Sequence, residues 1–213
     1  MGEPPEGDLV ILVPGRDEQA ALEGLVSRPE SLGIRPVQAA FQRHPDRDAG
    51  CLLWAHEFLR SQLRRFEHAL VMLDRVGCGR ERLSREELEA EVEGRLSVSG
   101  WGDRAAAVVI DPELEAWVWS DSPHVAEHLG WADRQPPLCE WLREQGLLDE
   151  GEVKPSDPKE AVERSLRRVR KPRTSAIYKH LATTVGLKRC VDPAFAKLCK
   201  VLRRWFAVDA GGG

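Results

Sequence analysis

HALVMLD (68–74) decides how this chain is read. Ala69 to Leu73 form an unbroken apolar run with no polar face, which predicts a strand buried on both sides. The run stops at Asp74 and enters a glycine-bearing loop, RVGCG (75–79). Two other segments share its character, DLVILV (8–13) and RAAAVVI (104–110). A fourth, IRPVQAAFQ (34–42), is weaker because Pro36 interrupts it, so it belongs near a sheet edge or begins after the proline. Helical patterns separate these strands, and that alternation predicts an α/β fold, a mainly parallel sheet with helices on both faces. Ligands of such sheets lie beyond the carboxyl ends of the strands. Pro14–Asp17, Asp74 and Asp111–Glu115 all fall there.

The helices carry their own punctuation. Asp17 is placed to cap EQAALEGLVS, with Ala21, Leu22 and Leu25 on one face. CLLWAHEFLRSQLRRF (51–66) is amphipathic. SREELEAEVEGRLSVSG (84–100) opens with Ser84 and Glu87 in capping-box spacing and closes at Gly100. Beyond residue 112 the pattern is helical throughout, and DPKEAVERSLRRV and DPAFAKLCKVLRRWF both begin with Asp-Pro, a cap followed by a first-turn proline. The expected organisation is an α/β domain over 8–120, a helical C-terminal portion over 121–207 packed on it, and a disordered tail at 208–213. DEGEVKPSDP (149–158) is the best linker candidate.

Composition narrows the class. Hydrophobic content of 42% in 213 residues suffices for a real core, and no apolar run is long enough to span a membrane. Five cysteines without CxxC spacing argue against a disulfide framework or structural zinc, and fit a reducing cytoplasm. The net charge of −4 hides an asymmetry: residues 151–213 hold 15 Lys/Arg against 6 Asp/Glu, and residues 1–150 hold 16 against 29. The two parts therefore suit different partners, or each other.

The candidate site residues follow from position. Asp74 ends the most apolar strand at the ligand edge. In IDPELEAWVWSD (110–121), Asp111 and Glu113 suit a helix start, with Pro112 in the first turn. That leaves Glu115 without a capping role, and Leu114, Trp117 and Val118 on a core face. Cys78 sits between two glycines and reads as an incidental thiol that loop exposure would make reactive. His124 and His128 have i, i+4 spacing but lack an HExxH glutamate, so surface histidines are the simpler reading. Trp119 and Trp131 suit core anchors or a protein interface. No P-loop, G-x-S-x-G elbow or G-x-G-x-x-G turn is present. The run RSLRRVRKPRTSAIYKH (164–180) supplies Arg164, Arg167, Arg168, Arg170, Lys171, Arg173 and Lys179. These suit a solvated face, a surface paired with the acidic part, or contact with nucleic-acid phosphates.

Taken together, HALVMLD, IDPELEAWVWSD, DPKEA (157–161) and AIYKHLA…DPAFAKL (176–198) resemble the toprim-like Rossmannoid proteins of bacteria. Within that group the chain is most similar to a small component of methylation-associated anti-phage defence systems. The resemblance implies Mg²⁺ held by a Glu after the first strand and an Asp-x-Asp pair after a later one. Pro14 stands at the Glu position; Asp74 keeps the first Asp, and Val76 stands at the second. The expectation is therefore a degenerate, non-catalytic component that binds other proteins of the defence system, or DNA or RNA through its basic C-terminal part. The alternative is a Mg²⁺-dependent nuclease with Asp74, Glu115 and Glu113 as catalytic groups, Asp74 and Glu115 as metal ligands, and Asp17 or Glu18 as substitutes. The cofactor expectation is none, or Mg²⁺.

Overall fold

The structure, a computed structural model, describes residues 5–187 and 190–208. Of the expected tail, residues 209–213 lie outside the described residues. Four strands form one all-parallel sheet: β1 (Gly7–Val13), β2 (Ala39–Arg43), β3 (Phe66–Asp74) and β4 (Ala105–Ile110), in the order β2-β1-β3-β4. The weak strand β2 starts after Pro36, at an edge. The strand order reverses between β1 and β3, and there the loops leaving two adjacent strands diverge and open a crevice.

Alternation along the strands divides two cores. Leu9, Ile11, Val13, Leu70, Met72, Ala106, Val108 and Ile110 face one side, while Val10, Leu12, Ala69, Val71, Leu73, Ala107 and Val109 face the other. Both sets are buried, which is why the strands read as continuous apolar runs. Each fully buried side chain such as Leu70 or Ile11 contributes about 1.5–3 kcal/mol.

After β1 come α1 (Arg16–Val26) and the short α2 (Pro29–Leu32), packed on the first side. The helices α3 (Arg47–Phe58) and α4 (Arg85–Leu96) cover the second. The chain steps one way from β1 to β2 and the opposite way through β3 to β4, so the first crossover falls on one face and the next two on the other. The first face is thus bare over β3 and β4 until the C-terminal part covers it. That part comprises α5 (Pro123–His128), α6 (Leu138–Glu144), α7 (Pro158–Val169), α8 (Ser175–Thr184) and α9 (Pro193–Trp205). Helix α8 packs along α1, α9 packs against β4, and their apolar residues share one core with the sheet. The helical portion therefore completes the α/β core rather than hanging from it.

Several capping expectations match the structure. Ser84 and Glu87 form the capping box of α4. Asp157 caps α7 through the Glu160 N–H, and Asp192 caps α9 through the Ala194 and Phe195 N–H groups. Others differ. Gly15, not Asp17, is the N-cap of α1, because Asp17 is engaged by Arg173 and Ser175. Asp111 caps nothing: its Oδ1 lies 2.8 Å from Arg75 Nε as an ion pair without hydrogen-bond alignment. The Asp111–Pro112 peptide is cis, and only a single 3₁₀ turn follows, at Leu114–Trp117. Of the two expectations for Trp119 and Trp131 the core anchor is the one that matches; both are buried, donating to Pro158 O and Ser165 O.

The β4 edge is closed by side chains. Glu93 Oε1 accepts from the Ala107 N–H and Glu89 Oε1 from the Val109 N–H, while Lys197 of α9 pairs with both glutamates. Edge amides that would otherwise template another strand are thereby occupied.

Candidate carboxylate cleft

Each of the four strands delivers a carboxylate to one cleft. Beyond β1, the chain turns at Pro14–Gly15 into α1, whose first turn carries Asp17 and Glu18. A Cβ at position 15 would sit 2.7 Å from Glu18 Oε2, so glycine there lets the glutamate fold back over the helix start. Beyond β2, Asp48 occupies the first turn of α3, and its Oδ1 accepts the backbone N–H of Asp74 at 2.8 Å. That bond fixes the α3 start against the end of β3. Asp74 closes β3, and Glu113 and Glu115 follow β4. The cleft has a volume of about 980 Å³, and Arg16, Arg43, Arg47 and Lys159 also line it.

The acids on the floor are unevenly satisfied. Asp74 is 7% exposed, and its Oδ1 is buried with no hydrogen-bond partner. Burial, then the neighbouring Glu18 and Asp48, hold its carboxyl well above the usual range, against an opposing bond from the Leu114 N–H. Glu18 is pushed up to about 7, first by burial and further by Asp48, Asp17 and Glu115, with its own backbone N–H opposing. Burial also raises Asp48, opposed by the Asp74 N–H. Like charges gathered in a poorly solvated place favour the protonated form, and a bound cation would reverse that preference.

Glu115 and Glu113 differ, because the C-terminal part supplies cations to them. Glu115 is 2% exposed; its Oε1 accepts from Tyr178 OH at 2.6 Å and pairs with Arg173 Nη2 at 2.8 Å. The same guanidinium reaches Asp17 Oδ2 at 3.0 Å and donates through Nε to Tyr178 OH at 2.9 Å. Burial works against the Arg173 charge, but Tyr178, Glu115 and Asp17 outweigh it and raise its pKa. Glu113 is paired with Lys159.

The donor set, hard carboxylate oxygens around an orphaned buried Oδ1, suits a hard divalent cation. Among the described residues, however, only His124, Glu127 and His128 bring three ligand atoms within 4.8 Å of one another; no three cleft carboxylates do.

The sequence-predicted residues Asp74, Glu113 and Glu115 thus meet in one cleft, together with Glu18. Several lining residues were missed, among them Arg16, Arg43, Arg47, Lys159, Asp48 and His44. Asp48 lies in the turn-rich HPDRDAG after the weakest strand, where only the β2 pairing shows that it follows a strand end. His44 is buried against Gly50 and Phe58; its Nδ1 accepts the Asp46 N–H, which leaves the proton of the neutral ring on Nε2, and burial lowers its pKa. Val76, where the resemblance led one to expect a second Asp, is 43% exposed on the cleft wall.

Cys78 is not an exposed thiol. It is buried, accepts the Arg80 N–H, and burial raises its pKa. Glu81 holds the surrounding loop by accepting from Gly77 and Gly79, both at positive φ.

The basic run does not act as one stripe. Arg173 enters the cleft, Lys179 pairs with Glu23, Lys171 donates to His128 O, and Arg164 donates to Gln145. Arg167, Arg168 and Arg170 remain exposed. Among the described residues, no helix is long and apolar enough to cross a membrane. Comparisons of the chain with protein-family models, with curated proteins and with solved structures found no match.

Proposed function

We propose that the carboxylate cleft is a divalent-cation-dependent site for phosphate esters, directed at a nucleic-acid backbone. The observation that carries this reading is the buried, partnerless Asp74 Oδ1 among Glu18, Asp48 and Glu115. A fold tolerates such a cluster at a cost in stability, and that pattern is characteristic of functional sites. Asp74, Glu18 and Asp48 are the acids that would have to close on the cation, since among the described residues no three cleft carboxylates bring oxygens within 4.8 Å of one another. When bound, Mg²⁺ or Mn²⁺ supplies charge neutralisation at phosphate oxygens and a more acidic water. The chain's own contribution is complementary. Arg16, Arg43 and Arg47 offer an exposed basic rim for phosphate groups. The setting we propose, a toprim-like component of methylation-associated anti-phage defence acting with other proteins of that system, rests on the motif resemblance.

A second reading is favoured by one specific observation: Arg173 and Lys159 already neutralise Glu115 and Glu113. On that reading internal cations replace a metal, and the chain is a non-catalytic component that contacts partners. One experiment separates the two. Calorimetric titration with MnCl₂, followed by incubation of supercoiled plasmid with Mg²⁺ or Mn²⁺, is run on wild type and Asp74→Ala. Saturable binding and cleavage, both lost in the variant, support the cation-dependent site. Neither binding nor cleavage in the wild type overturns it in favour of the contact component.

A further inference from the structure

A second and chemically different cluster lies away from the cleft, where α5 meets α8. His124, Glu127 and His128 project from α5, and their ligand atoms lie within 4.8 Å of one another. His124 Nδ1 is 3.0 Å from Glu127 Oε2. The His128 ring sits 5.5 Å from that of His180 on α8, centroid to centroid, and its Nε2 meets Thr184 Oγ1 at 3.1 Å. His124 and Glu127 are 44% and 59% exposed at their side chains, so an ion reaches them directly from solvent. Three of the chain's six imidazoles thus stand side by side across a helix–helix contact, two of them on the Glu127 carboxylate and the third, His180, beside His128 and outside the 4.8 Å cluster.

We propose that His124, Glu127, His128 and His180 form a transition-metal site that ties α5 to α8. Imidazole nitrogens with one carboxylate select Zn²⁺, Ni²⁺ or Co²⁺ over Mg²⁺ and Ca²⁺, which demand oxygen. The i, i+4 pair on α5 provides a chelate, and His180 brings the second helix into the same coordination sphere. Lys171 does not occupy the cluster's ligand atoms, because its Nζ donates to the His128 backbone carbonyl. The consequence reaches the cleft indirectly. Helix α8 also carries Ser175 and Tyr178, which bond Asp17 and Glu115, so fastening α5 to α8 steadies the wall that holds those acids.

The test uses untagged full-length protein and the metal alone. ZnCl₂ is titrated calorimetrically into wild type, His128→Ala, His180→Ala and Asp74→Ala, with circular dichroism melts confirming that each variant is folded. One equivalent of Zn²⁺ is expected to bind wild type and Asp74→Ala alike. His128→Ala and His180→Ala should each weaken binding by about tenfold or more. Co²⁺ should give visible d–d bands without the near-ultraviolet thiolate charge-transfer band that Cys139 or Cys190 would produce. Binding unchanged by His128→Ala, or a thiolate band, overturns the site. Binding unchanged by His180→Ala overturns the link between the helices. Should His128→Ala fail to fold, His124→Ala tests the same chelate at a more exposed position. Because the cleft variant Asp74→Ala is expected to retain Zn²⁺, failure of the cleft reading and failure of this one are distinguishable.

Discussion

Replacing Glu18 by Gln should make the protein more stable at pH 8 and leave it nearly unchanged at pH 4.5. The glutamate is pushed up to about 7 from an ordinary value of 4.5, with burial the largest cause and Asp48 the next charge against it. A carboxyl raised in this way holds its proton more tightly when folded than when unfolded. Its contribution to stability is complete below the unfolded value of 4.5 and is lost as pH rises through the folded value of about 7. At about 1.4 kcal/mol per pH unit, the full loss is about 3 kcal/mol, an upper bound because the side chain is partly exposed. Glutamine keeps the shape and the bond to its own backbone N–H but carries no charge, so the variant does not suffer this loss. For a chain of this size the difference corresponds to roughly 6–12 °C in Tm at pH 8. The assay is thermal denaturation by circular dichroism at several pH values between 4.5 and 8.5, with and without MnCl₂. Wild type should recover stability with MnCl₂ most strongly above pH 7, by about 2.7 kcal/mol at a hundredfold excess over Kd, and Glu18→Gln should recover less. A variant no more stable than wild type at pH 8, or with an identical pH slope, would refute the reasoning.

Three further outcomes are expected. Arg173→Met removes the guanidinium from buried Glu115 and from Asp17; urea unfolding at pH 8 should show a loss of about 2 kcal/mol, between the values typical of exposed and buried pairs. Glu89→Ala leaves the Val109 N–H without its acceptor and Lys197 with one carboxylate fewer. It should cost about 1–3 kcal/mol in chemical denaturation and, by uncovering the β4 edge, produce concentration-dependent association in size-exclusion chromatography. Reversing Arg167 and Arg168 together to Glu should weaken DNA binding measured by fluorescence anisotropy and flatten its dependence on salt; unchanged binding would remove these exposed arginines from any phosphate contact.

The strands and the parallel α/β class were legible in the sequence because a strand buried on both faces admits only apolar residues. HALVMLD and RAAAVVI carry that constraint locally. The caps at Ser84, Asp157 and Asp192 were legible for a similar reason, since each satisfies backbone donors within three residues of itself. Asp74 was found by position, at the end of such a run. What the sequence left open depends on contacts between residues far apart in the chain. Asp17 and Asp111 have the local signature of caps, yet Arg173 and Arg75 claim them. Asp48 sits in an ordinary turn until β2 pairs with β1 and the Asp74 N–H reaches it. Val76 and Pro14 stand where the resemblance led one to expect ligands, while the fold drew Glu18 and Asp48 toward Asp74 from other strand ends. The tertiary structure also decided that the basic run disperses, because α8 packs along α1 and carries Lys179 to Glu23, while the segment before it delivers Arg173 to the acids. Local sequence fixes what a segment can satisfy by itself; which charges must share a poorly solvated cleft is decided only when the sheet brings its four ends together.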